Sequence, residues 1–194
     1  MHNNVGRMPE IMMAETFVCA LLDRLAASPV RLRALLTSMS DSALRTAPRG
    51  EGFAPIEDAW HLRDVEAEGH FLRIRRILAE DRPVLASIDG ERLARERHYL
   101  ERELGTALDE FAQYREASLG LLGALSDGAW LRSAIFEDRN VSLRDLVAAM
   151  LEHDEAHLAA VAAQLPGASP VGGESAATAH IPDGATPEGV TASR

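Results

Sequence analysis

Apolar residues recur along this chain at steps of three and four. Nowhere do β-branched residues alternate with polar ones, so the pattern predicts an all-α fold without a sheet. The first amphipathic stretch covers Ile11 to Met39, with Ser28-Pro29 as the cap and first turn of a kink or restart in its middle. A second opens at Ala54-Pro55-Ile56-Glu57 and runs to about Glu80, stopping at Asp81-Arg82-Pro83. Proline suits its first turn, and Glu57 lies beside the positive helix end, while Ala54 has no side-chain acceptor with which to cap it. The third stretch, Glu91 to Leu125 with a break near Gly105, carries Leu100, Leu104, Leu108, Phe111, Leu119 and Leu122 on one stripe. The fourth has the clearest start, an S-x-x-D box at Ser142 and Asp145, and Leu165-Pro166-Gly167 ends it. Four long amphipathic helices predict a four-helix bundle.

The 194 residues suit one domain, expected over residues 10–166. Residues 167–194 are dense in Gly, Pro, Ser, Thr and Ala without apolar periodicity, which predicts a disordered tail. A net charge of −10 argues against nucleic acid as a partner, because a phosphate backbone needs a basic face. All twenty basic residues are Arg, which removes lysine Schiff-base and phosphate-loop chemistry. Cys19, the single cysteine, lies in the apolar run Phe17 to Leu22 and is expected in the core. That run is too short to span a membrane, and no basic stretch precedes it as in a signal peptide, so no membrane contact and a cytoplasmic location are expected.

The chemistry of interest is in the histidines. Leu143, Leu146, Met150, His153, His157 and Val161 follow one stripe of the fourth helix, so two imidazoles take core positions. Residues four apart stand one turn apart and differ by about 40° in azimuth, which lets both rings point at a common atom. On the second helix the expected inward stripe is His61, Val65, Glu68 or Gly69, and Leu72, which offers His61 as a third ligand. Three neutral imidazoles suit a borderline divalent ion such as Zn, Ni or Fe(II) and leave positions for water or substrate. Asp58, Asp64, Asp154 and Glu155 are candidates to orient the rings through their second nitrogens, with at least two of the four expected to be merely solvated. His2 and His180 fall in the chain ends, and His70 and His98 are expected at surface or boundary positions.

Three segments carry a resemblance: Phe53 to Glu66 (FAPIEDAWHLRDVE), Arg75 to Pro83 (RRILAEDRP), and Ser142-Leu-Arg-Asp-Leu through His153-Asp-Glu-Ala-His157-Leu. In order and spacing they resemble the DinB-like (DinB/YfiT) metalloenzyme superfamily over about residues 11–165. The resemblance implies a four-helix bundle whose three histidines, His61, His153 and His157 here, hold a divalent metal. Ala54 departs from the Ser or Thr cap usual in relatives. Characterised relatives include thiol-dependent transferases and a maleylpyruvate isomerase that use low-molecular-weight thiols.

Residues and resemblance together lead to a metal-dependent transferase or isomerase with a small-molecule substrate and a low-molecular-weight thiol as cofactor. The metal would lower the pKa of a bound thiol or water. Arginines of the second and third helices are candidates to bind the carboxylates of such a thiol. No general acid or base is assigned, though Asp64, Glu68 and Tyr99 are candidates by type and position. The alternatives are a metal-hydroxide hydrolase and a non-catalytic metal-binding stress-response or interaction module, with a homodimer as its expected self-association. A zincin is disfavoured because Asp154 stands where Glu must follow the first histidine. A di-iron bundle is disfavoured because the chain has D-x-x-H, at Asp58 with His61 and at Asp154 with His157, but no E-x-x-H.

Overall fold

The computed structural model describes residues 7–48 and 52–165; the expected tail lies outside them. In chain order the elements are α1 (Arg7–Thr37), α2 (Asp41–Leu44), α3 (Pro55–Asp64), a π-helical turn (Val65–His70), α4 (Phe71–Ala79), β1 (Val84–Leu85), α5 (Gly90–Glu96), a 3₁₀ turn (Tyr99–Glu101), α6 (Leu104–Gly123), α7 (Asp127–Trp130), β2 (Ser133–Phe136), β3 (Arg139–Ser142) and α8 (Leu143–Ala162). The four-helix bundle is made by α1, the α3-to-α4 unit, α6 and α8. Among the described residues no helix is long and apolar enough to cross a membrane.

The helix ends follow the local chemistry. At the start of α8 the Ser142 hydroxyl accepts from the Asp145 N–H at 3.1 Å, and the Asp145 carboxylate accepts from the Ser142 N–H at 3.1 Å. Ala54 makes no side-chain cap, and the Glu57 carboxylate reaches back to its N–H at 2.9 Å. Of the expected kink or restart at Ser28-Pro29 there is no restart: α1 is one helix through Pro29, and the Ser28 hydroxyl turns back to the Arg24 carbonyl at 3.4 Å.

A small sheet corrects the expectation of none. Its order is β1-β2-β3, with β1 parallel to β2 and β2 antiparallel to β3. The pairing of Phe136 with Arg139 leaves the two-residue loop Glu137-Asp138, both with positive φ (49° and 59°). That is the backbone of a tight hairpin turn, made here without the Asn-Gly pair that signals it.

Two apolar clusters fill the bundle. One gathers Leu32, Leu36, Ile56, Trp60, Tyr99, Phe111 and Val161; the other gathers Leu25, Ile74, Ile77, Leu122, Val147 and Met150. Between them along every helix lies a buried polar layer of Ser28, Glu66, Arg115, Ser118 and Asp154, all at 1% exposure or less. Cys19 is exposed rather than in the core. The buried face of α1 runs through Leu21, Leu25, Ser28, Leu32 and Leu36, and two residues before Leu21 the helix has turned about 200° away from it.

Candidate metal centre

The structure brings His61, His153 and His157 together, with one ring nitrogen of each lying within 4.8 Å of the others. His61 Nε2 and His153 Nε2 face each other at 3.0 Å, and the His157 ring centroid is 4.6 Å from both of theirs. His153 and His157 converge because they stand one turn apart on α8, and α3 sets His61 opposite them.

Burial holds two of these rings, His61 and His153, neutral. Burial, reinforced by the neighbouring imidazoles, lowers the pKa of His61 to about 2. Burial, with His157 and the nearby arginines, lowers that of His153 to about 3. Neutral imidazoles turned toward one another present lone pairs to a shared space, an arrangement that a cation or a shared proton relieves. His61 Nδ1 and His153 Nδ1 are buried without a hydrogen-bond partner. The donor set therefore fits a borderline divalent ion.

Of the four candidate orienting carboxylates, only Asp58 serves that role. Its Oδ1 lies 2.6 Å from His157 Nδ1, so the ring donates there and its Nε2 remains available as an acceptor. Burial pushes the Asp58 carboxyl above its ordinary pKa, and the His157 hydrogen bond pulls it the other way. The expectation that two of the four are solvated fails, because Asp58, Asp64 and Asp154 are all buried. Asp64 accepts from Arg63, Arg97 and Tyr99, Asp154 from Arg115, and Glu155 pairs with Arg24 and Arg31 on the outer face of α8.

A sequence profile of the DinB superfamily matches residues 24–161. The chain belongs to the DinB superfamily. Its fold is similar to that of YfiT from Bacillus subtilis, described as a probable metal-dependent hydrolase with an unusual four-helix bundle topology. The TM-score is 0.72 at 19% identity, over 76% of this chain and 85% of YfiT. Among curated proteins no sequence matches.

In this DinB chain the π turn does what helical periodicity could not foretell. A π turn holds one residue more than an α turn, so every side chain beyond it rotates by about 100°. Leu72, expected inside, is exposed, and of the expected pair Glu68 or Gly69 it is Gly69 that is buried; His70, Arg73, Ile74 and Ile77 are buried as well. The shift carries His70 to the face of His61, its ring 5.8 Å from that of His153, correcting its expected surface position. Both ring nitrogens of His70 are buried without a partner, and burial holds the imidazole well below its ordinary pKa. His98 is exposed, as expected.

Beside the triad opens a cavity of about 560 Å³, lined among others by His61, His153, His70, Arg73, Ile88 and Phe136. The unforeseen sheet and the loop after β1 build its far wall. Asp64, Glu68 and Tyr99 do not line it. Tyr99 donates to Asp64, and burial and that carboxylate raise its pKa. Glu68 is taken by Arg97 at 2.6 Å.

Gly90, the first residue of α5, packs against the His61 ring so closely that a Cβ there would overlap its Cε1 and lie 2.5 Å from Nδ1. Gly90→Ala is expected to push His61 out of place and lower metal affinity on the order of tenfold, the scale at which lost support around a ligand acts. Chelator competition measures this. An unchanged affinity would show that the ring position is not held there.

Proposed function

We propose that this DinB chain is a metal-dependent enzyme in which His61, His153 and His157 hold one divalent cation, Zn, Ni or Fe(II), and that it acts on a small-molecule substrate with a low-molecular-weight thiol. The observation that carries the reading is the convergence of three histidine rings, two of which, His61 and His153, line a cavity large enough for a small ligand. When bound, the cation would supply Lewis acidity that favours thiolate over thiol, or hydroxide over water, near neutral pH. The chain's part is positional. Asp58 fixes the tautomer of His157, Gly90 backs His61, and Asp154 ties α8 to the bundle core beneath the two α8 histidines. Transferase or isomerase chemistry is the reading for the reaction, and a cytoplasmic site of action accords with it.

A metal-hydroxide hydrolase is the second reading, favoured by the fold shared with YfiT. Small thiols are expected to perturb the visible spectrum of the Co(II)- or Ni(II)-substituted protein, and the perturbation should vanish in His153→Ala. If no thiol at millimolar concentration alters the spectrum while water or other anions exchange, the hydrolase reading replaces the thiol one. Metal binding without turnover across a panel of thiols and electrophiles would leave a non-catalytic module.

A further inference from the structure

Arg73 is a buried cation that makes no ion pair among the described residues. It is 8% exposed, and its Nε and Nη2 both donate to one neutral acceptor, the Ala86 carbonyl, at 3.1 and 2.8 Å. Its guanidinium carbon lies 4.6 Å from the centroid of the Phe136 ring, so one face is covered by an aromatic wall. The carboxylate whose charge reaches it, Glu137, is engaged by the Ser87 hydroxyl at 3.2 Å and Arg139 at 3.5 Å. Taking a guanidinium out of water is costly, and a carbonyl offsets that cost less than an anion does.

Three residues earlier stands His70, 7% exposed, with neither ring nitrogen partnered. A neutral imidazole has one N–H to give. Both side chains line the cavity that also exposes His61 and His153. Gly69 leaves the room, because a Cβ there would come within 2.9 Å of Ile88 Cδ1 and 3.4 Å of Arg73 Nη1. The remaining Nη donors of Arg73 and the N–H of His70 thus form a positively charged, water-poor corner beside the triad.

We infer that Arg73 and His70 form an anion subsite that takes a carboxylate of the substrate or thiol while its reacting group lies at the histidine triad. The inference rests on the metal-enzyme reading only for the second half of that statement. It narrows the ligand class to small carboxylates, with a neutral analogue bound far less well. Arg73 is a binding residue by this account, and the π turn is the device that delivers it and His70 to the cavity.

The subsite is tested first without the metal. Propionate, propionamide and inorganic phosphate are titrated calorimetrically into the metal-stripped full-length protein and into Arg73→Met and His70→Phe, each checked for folding by circular dichroism. Propionate should bind about tenfold or more tightly than propionamide, and each substitution should erase most of that difference. Equal binding of the two, or a preference that survives in both folded variants, overturns the subsite. Phosphate binding tighter than propionate overturns the carboxylate assignment. A second titration compares 3-mercaptopropionate with 2-mercaptoethanol on the Co(II) protein. The acid should bind more tightly in wild type and equally in Arg73→Met. Failure of both thiols to reach the metal sinks the thiol reading while leaving the propionate result to decide the subsite.

Discussion

Arg115→Ala should destabilise the fold by about 3 to 5 kcal/mol, the cost of stranding buried charges when one partner is removed. The guanidinium is 1% exposed and donates to Asp154 at 2.6 and 3.2 Å, to Glu66 at 2.8 Å and to the Leu25 carbonyl at 2.9 Å. Glu66 also accepts from the Ser118 hydroxyl at 2.6 Å. The Leu25 contact has a backbone cause. Proline has no N–H, so Pro29 cannot bond the carbonyl four residues before it, and Arg115 takes that acceptor. One side chain on α6 therefore binds α1, the π turn and α8. Urea unfolding measures the loss. A change under about 1 kcal/mol would mean that water readily replaces the guanidinium.

His61→Ala, His153→Ala and His157→Ala should each lower metal affinity by more than the roughly 10- to 100-fold that loss of a supporting hydrogen bond costs. His70→Ala and His98→Ala should retain the metal, since neither belongs to the convergent set. Metal content after dialysis against a fixed free concentration reads all five. Equal occupancy throughout would remove the site.

The bundle and the triad were legible in the sequence for one reason: both depend on helical azimuth alone. His153 and His157 fall in step with Leu146, Met150 and Val161, and His61 precedes the π turn, where α-helical counting still holds. Counting fails one turn later. No hydrophobic signal marks the extra residue, so Leu72 was expected inside in place of Arg73, and His70 was expected at the boundary. Strands of two and four residues are too short to show alternation, and their hairpin turns on Glu137-Asp138. Arg115 did leave a trace. The stripe Leu108, Phe111, Leu119, Leu122 skips the steps at 115 and 118, where Arg and Ser stand in core register. A polar residue at a core step of a regular stripe was the signal of the buried layer.

X-ray absorption at the metal edge of the zinc-loaded full-length protein tests the three-histidine centre most directly. The account predicts one ion per chain, scattering from three imidazoles, and at least one further light-atom ligand replaced by sulfur when a small thiol is added. A shell with no imidazole, or one closed by a fourth imidazole and unchanged by thiol, would contradict it.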